Sequence, residues 1–168
     1  ARAARVLALA ASGRSGASIP LGSGASAELA FGRLRLVRRR DGPPAEAVLL
    51  SETRSSGEAR WGRWAVRWEP ARAPAEQPRN GMTAWFVPDA ELRVREWRPG
   101  DRLLPLGGSG RRLLVRCFQD ARVPRSRRAE WPVIESGGQV VWAPGVCRAQ
   151  GLVPQEGSEA LRVDVAYA

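Results

Sequence analysis

Period-two alternation of apolar and polar residues recurs along the chain and predicts a protein built mainly from strands. Residues 31–38 set Phe31, Leu34 and Leu36 against Arg33, Arg35 and Arg38. Residues 60–69 place Trp64, Val66 and Trp68 on one side and Arg63, Ala65 and Arg67 on the other. Leu92 and Val94 alternate with Arg93 and Arg95, and near the end Leu161, Val163, Val165 and Tyr167 alternate with Arg162, Asp164 and Ala166. Shorter apolar pieces lie at 47–50 and 83–87. Two more, 133–135 and 139–143, flank Ser136-Gly137-Gly138, a pattern that predicts a tight hairpin.

The helical period appears twice. Over residues 111–123, Leu113, Leu114, Cys117, Phe118 and Ala121 fall in one broad arc at 100° per residue, with Arg112, Arg116 and Gln119 opposite. One face would pack and the other would present guanidinium groups. Residues 2–12 repeat the period more weakly through Val6, Leu7, Ala10 and Ala11 before Gly13, and are expected to be the end of a helix from an upstream domain. The chain would then be a piece of a longer protein.

Breakers divide the rest. Residues 13–27 are Gly- and Ser-rich, which predicts a loop with one short extended piece at Ile19-Pro20-Leu21, and Asp41-Gly42-Pro43-Pro44 is a turn. Residues 69–81 carry Pro70, Pro74 and Pro78 without periodicity and read as a linker at an internal boundary. Arg98-Pro99-Gly100-Asp101 has the chemistry of a type II turn, in which Gly100 serves backbone geometry and Asp101 the turn itself. An irregular loop over 103–110 follows, and the basic run Arg125, Arg127 and Arg128 between Pro124 and Pro132 reads as a loop with a helical turn. The expected fold class is α+β: a β-rich segment over 13–80, then a small mixed α/β C-terminal domain over 81–168 with one main amphipathic helix at about 111–123.

Composition adds a sign to this pattern. Of 168 residues, 27 are basic and 17 acidic, a net charge of +10, and every basic residue is arginine. A GC-rich genome would account for Arg in place of Lys but not for the excess. Such an excess on a small domain is the electrostatic footprint of a polyanion's partner, with nucleic acid ahead of an anionic membrane surface, because no apolar run is long enough to span a bilayer.

The same composition removes most catalytic chemistry. Histidine is absent and Cys117 and Cys147 are the only cysteines, so a Ser-His-Asp triad, a Cys-His pair and a His-based zinc site are excluded. The cysteines read as reduced, mostly buried thiols of a cytoplasmic protein, with a single disulfide as the alternative. Gly107, Gly108 and Gly110 precede the 111–123 segment, but no Lys-Ser/Thr pair follows as a nucleotide loop requires. No carboxylate pair has a spacing that singles out acid–base work. No catalytic, cofactor-binding or metal-binding residue is therefore assigned within the chain. Trp64 and Trp68 share the apolar face of their strand with Val66 and are expected in the core, while Trp61 is left open between core and base stacking.

Three stretches together carry a resemblance: VREWRPGDRLLPLG, then GRRLLVRCFQDARVPRSRRAEWPV, then GGQVVWAPG. In order and spacing they resemble the C-terminal domain of tRNA-isoleucine lysidine synthetases over residues 92–145. Arg95, Pro99, Gly100, Asp101 and Arg102 match the first motif, and Phe118, Asp120, Pro124, Arg125, Arg128 and Pro132 the second. The basic pair Arg111-Arg112 departs from the family pattern, whose ungapped pair would fall on Arg112 and Leu113. The resemblance implies a tRNA-binding segment of an enzyme that uses ATP, with Mg expected in the full-length protein, to join lysine to the wobble cytidine of tRNA(Ile). The catalytic domain would lie upstream, so this segment is expected to be inactive alone. Its implied partners are tRNA(Ile) and that upstream domain, with no membrane role. The alternative is structural docking or homodimerisation without RNA contact. An Arg fork grips phosphate through paired hydrogen bonds, and the expected tRNA-binding residues are Arg95, Arg98, Arg102, Arg112, Arg116, Arg125 and Arg128.

Overall fold

The fold is given by a computed structural model that describes residues 2–38, 47–50 and 55–168. In chain order its elements are α1 (Arg2–Ala11), β1 (Ala17–Gly22), β2 (Ala25–Ala30), β3 (Arg33–Arg38), β4 (Val48–Leu49), β5 (Gly57–Trp61), β6 (Trp64–Arg72), β7 (Thr83–Phe86), β8 (Arg93–Glu96), β9 (Arg102–Leu103) and β10 (Arg112–Leu113). They continue with α2 (Leu114–Asp120), α3 (Arg125–Arg128), β11 (Pro132–Ser136), β12 (Gln139–Ala143), β13 (Cys147–Arg148) and β14 (Glu159–Tyr167). The fold is α+β, with short helices and antiparallel sheets. The turn expected at 41–44 lies outside the described residues.

The chain divides into two compact units. The first comprises Ala1–Pro44 and Arg122–Ala129. Its sheet runs β1-β2-β3, and Leu9 of α1 packs on Ala27 and Leu29 of β2, with Val6, Ala17, Ile19 and Leu21 around them. Two expectations are corrected here. Residues 13–27 hold more strand than expected: the extended piece at Ile19-Pro20-Leu21 widens to β1, and the start of β2 follows, its Ala and Ser residues alternating too weakly in hydrophobicity to show in the sequence. The 2–12 helix is part of this unit, because Leu9 finds its apolar partners on β2. The β2–β3 connection also differs. Ala30 pairs with Arg33, leaving Phe31 and Gly32 as a two-residue turn with φ of 50° and 76°. That is the primed geometry matching strand twist, and it removes Phe31 from the strand.

The second unit comprises Ala45–Ala121 and Glu130–Ala168. A five-stranded sheet, β13-β12-β11-β8-β4, and a four-stranded sheet, β5-β6-β14-β7, enclose one core. Trp64, Val66, Phe86, Leu161 and Val163 meet Leu92, Val94, Ile134, Val141 and Trp142 there. Trp61 is also buried in this core, at 3% exposure, so it is not a free stacking platform. Trp68 packs against its edge. The hairpin at 136–139 forms as expected, with Gly137 and Gly138 at φ of 54° and 76° between the paired Ser136 and Gln139.

The linker expected at 69–81 is not a boundary. Strand β6 runs to Arg72, which pairs with Glu159 of β14. Pro70 is tolerated because it lies beyond Trp68, where pairing with β5 has ended and one side of β6 has no ladder among the described residues. The following irregular segment is tied down by its backbone: Gly145 N donates to Gly81 O and Arg148 N to Arg79 O, each at 2.8 Å.

Arg148 joins the two sheets of this unit. Its side chain is fully buried, and among the described residues no carboxylate pairs with it. Instead Nη1 donates to the carbonyls of Val141, Ala149 and Gly151 at 2.8–2.9 Å, and Nη2 to those of Trp85 and Leu152 at 3.3 Å. The guanidinium also lies 4.2 Å from the centre of the Phe86 ring. Burial lowers its pKa to about 10, which leaves it cationic at neutral pH. Replacing Arg148 by Ala would strand several carbonyls in the core at about 1–3 kcal/mol each. Arg148→Ala is therefore expected to lose most of the folding stability in urea denaturation, and Arg148→Met, which restores bulk but no donors, to recover little of it.

Candidate nucleic-acid interface

The candidate surface is built on the turn at 98–101. Gly100 has φ of +91°, as a type II turn requires, Asp101 N donates to Arg98 O at 3.1 Å, and an Asp101 carboxylate oxygen accepts from Arg98 N at 2.8 Å. The chain then forms β9, which pairs with β10 through Leu103 with Arg112 and Arg102 with Leu113. Leu114 N donates to Asp101 O at 2.8 Å, so α2 starts directly against the turn.

Helix α2 is shorter than the sequence period suggests. The helix expected over 111–123 is confined to Leu114–Asp120 because Arg112 and Leu113 are held extended by β9, and Arg122 adopts φ of 54° just before Pro124. Its buried face is the expected one, with Leu114, Cys117 and Phe118 inside. Phe118 meets Trp97 and Trp131 edge-on at centroid distances of 6.0 and 6.3 Å.

Arg95 holds the turn and is not an outward-facing residue. It is 3% exposed. Its guanidinium grips both carboxylate oxygens of Asp101 at 2.9 and 3.0 Å, donates to Glu135 through Nε, and reaches Glu96 O at 2.7 Å. Burial opposes its charge, but the hydrogen bonds to Asp101 and Glu135 outweigh that and raise its pKa further. The expectation that Arg95 contacts tRNA is corrected: its donors are spent on two carboxylates of its own chain. Strand alternation could not show this, because it places Arg95 off the apolar face without saying what covers the other one.

The remaining expected residues separate cleanly. Arg98, Arg102, Arg112 and Arg116 are exposed on the turn, β9, β10 and α2. Asp120 pairs with Arg112 and Gln119 accepts from Arg116, so one carboxylate stands among four cations. Arg125 is exposed and Arg128 buried, and both belong to the other compact unit. There Arg128 donates to Val123 O at 3.1 Å, and burial pulls its pKa below the ordinary value, so it too is corrected from an outward contact to a structural one. Its neighbour Ser126 donates to the buried Glu28.

The exposed arginines outside the expected contacts include two beside this surface or its loop. Arg111 donates to Gln139 at 2.7 Å beside β10, and Arg79 stands in the stretch read as linker. The first belongs to the basic pair Arg111-Arg112 but not to the expected basic face, and nothing local signals the second.

Cys117 and Cys147 are reduced and buried. The Cys117 thiol accepts a hydrogen bond from Cys147, which with nearby Arg112 lowers it from 9.0 to about 7, while the same bond and burial push Cys147 up. Among the described residues no group of three His, Cys, Asp or Glu side chains could hold a metal, and no helix is long and apolar enough to cross a membrane.

Residues 92–165 match the family described as the TilS substrate C-terminal domain. The chain is similar to the tRNA(Ile)-lysidine synthase of Symbiobacterium thermophilum, 41% identical over 100 residues, which is 57% of this chain and 20% of that protein. It is also similar to the tRNA(Ile)-lysidine synthase of Geobacter sulfurreducens, 36% identical over 85 residues, covering 48% of this chain and 18% of that one. The matched region thus spans about a fifth of these relatives. A crystal structure of a TILS C-terminal domain superposes with a TM-score of 0.59 at 25% identity, over 73% of this chain and 98% of that one.

Arg95→Gln would leave Asp101 and Glu135 facing each other without their cation, and breaking such a buried pair costs about 3–5 kcal/mol. A fall of that size in urea unfolding is expected, with Arg95→Lys recovering only part because an ammonium cannot span both carboxylates. Cys117 ionises below its unfolded value, so its contribution to stability is present above pH 9.0 and is lost as pH falls towards about 7. Thiolate absorbance should therefore rise below pH 9.0 in the folded chain, and Cys147→Ala should shift that rise upward by removing the donor.

Proposed function

We propose that this chain, whose residues 92–165 match the TilS substrate C-terminal domain family, is the tRNA-holding part of a tRNA(Ile)-lysidine synthase. The observation that carries the reading is the exposed set Arg98, Arg102, Arg112 and Arg116, fixed on one continuous turn–ribbon–helix with Asp120 as its ion-pairing carboxylate. Contacts of this kind grip phosphate and orient an RNA while carrying little sequence information. Arg125 is a further contact in the same role.

The whole enzyme would form the carbon–nitrogen bond between lysine and the wobble cytidine of tRNA(Ile), with ATP and Mg acting in its upstream catalytic domain. The described residues of this chain offer no metal-ligand set. Their part is to hold the substrate while the chemistry proceeds elsewhere, in the cytoplasm.

The test is affinity for tRNA(Ile) by fluorescence anisotropy as a function of salt. Arg112→Glu combined with Arg116→Glu is expected to weaken binding by at least tenfold at low salt and to flatten the salt dependence by about two units, about one per lost phosphate contact. Far-UV circular dichroism should not change, since both side chains are exposed. Unchanged binding in the double variant would sink the proposed face. A chain that self-associates and shows no salt-dependent binding would instead favour the docking role.

A further inference from the structure

The geometry points to a phosphate-binding seat formed by Arg79 and the loop at 107–110, outside the residues proposed above and, for Arg79, outside the family match at 92–165. Its natural ligand, a backbone phosphate of the bound RNA, rests on the tRNA reading; the seat itself does not.

An exposed arginine is ordinarily a solvated charge. Two features set Arg79 apart. First, the backbone on either side of the seat is fixed by one buried residue: Arg148 N donates to Arg79 O, and Arg148 O accepts from Leu106 N, both at 2.8 Å. The loop is held at a second point, where Gln150 N donates to Leu104 O at 2.8 Å and Pro105 bridges to Ala149. Second, the guanidinium lies directly on Gly107. A Cβ at that position would come within 3.0 Å of Arg79 Nη2 and 3.3 Å of Cζ, and Gly107 has φ of +73°. Glycine thus suits the left-handed backbone of this position, and a Cβ there would press on the end of the Arg79 side chain.

The donors on the two sides of the seat are unspent. Arg79 makes no side-chain hydrogen bond or ion pair among the described residues. In the loop, Gly108 N donates to Pro105 O at 2.8 Å, whereas the N–H groups of Gly107, Ser109 and Gly110 donate to no backbone carbonyl among the described residues. Ser109 and Gly110 are exposed, and a Cβ on Gly110 would meet nothing within 4 Å. A forked guanidinium, free amides and a serine hydroxyl, with no carboxylate paired to the arginine, suit a tetrahedral oxyanion. Arg111 and Arg112 follow at once in the chain, so the seat adjoins the basic residues proposed above in sequence.

The experiment follows amide chemical shifts of the isotopically labelled 168-residue chain during titration with inorganic phosphate and, separately, with tRNA(Ile). Shifts at Gly107, Ser109 and Gly110 are expected with both. Arg79→Gln, which keeps the backbone contacts, should abolish the response to phosphate, weaken tRNA severalfold and reduce the salt slope by about one unit. Gly107→Ala, which strains the loop and presses on the guanidinium, should weaken the phosphate response without abolishing it. Amides that do not move with phosphate, or that move equally in Arg79→Gln, would overturn the seat while leaving the face at Arg112 and Arg116 standing. If the chain binds no tRNA but phosphate still shifts these amides through Arg79, the functional reading fails and the seat survives. A phosphate response with tRNA affinity and salt slope unchanged in Arg79→Gln would assign the seat to free phosphate and overturn its role in holding RNA.

Discussion

A guanidinium taken out of water must be given replacement acceptors, and the second unit is arranged around meeting that demand at Arg148. Carbonyls from β12, from the turn after β13, and from Trp85 in the opposite sheet all converge on it. Because the acceptors of Nη1 and Nη2 come from both sheets, holding this cation also fixes how the sheets face each other, although its Nε has no partner among the described residues. A carboxylate partner would neutralise the charge locally and impose no such convergence. The peptide groups flanking the same side chain then hold Arg79 and Leu106 in place, so the residue that closes the core also sets a stretch of the surface.

Arg95 solves the same problem by the opposite means. It lies under the turn at 98–101 and recruits Asp101 and Glu135, two carboxylates of its own chain. The bidentate grip on Asp101 holds the turn, and the Asp101 carbonyl receives the first N–H of α2. The order of dependence therefore runs from a buried ion cluster to a turn, from the turn to a two-stranded ribbon and short helix, and from those to the direction of Arg102, Arg112 and Arg116. A seven-residue helix has little intrinsic stability, and its anchoring comes from Phe118 between Trp97 and Trp131 and from that turn.

This division explains the uneven use of arginine in a chain that has no lysine. Arg95 and Arg148 require a planar fork with several donors, which an ammonium cannot offer. The exposed arginines require only charge and reach. The two roles look identical in composition, and the net charge of +10 counts them together.

What the sequence determined by itself was whatever depends on neighbouring residues. Alternation over 60–69 and 161–167 marked the long paired strands β6 and β14, Gly137-Gly138 marked the hairpin, and Pro99-Gly100-Asp101 marked the turn, because strand period and positive-φ positions are local properties. The order of those motifs also carried the family resemblance. Only the tertiary structure decided which arginines face solvent. The local pattern predicts Arg95 and Arg128 as contacts, yet both are buried. Arg112 was read as helical, yet pairing with Leu103 draws it into a strand. Arg79 lay in a proline-rich stretch with no period at all, and its place beside Gly107 follows from hydrogen bonds to a residue far along the chain. Whether a charge is core or surface depends on what covers it, and that is fixed by contacts no local pattern encodes.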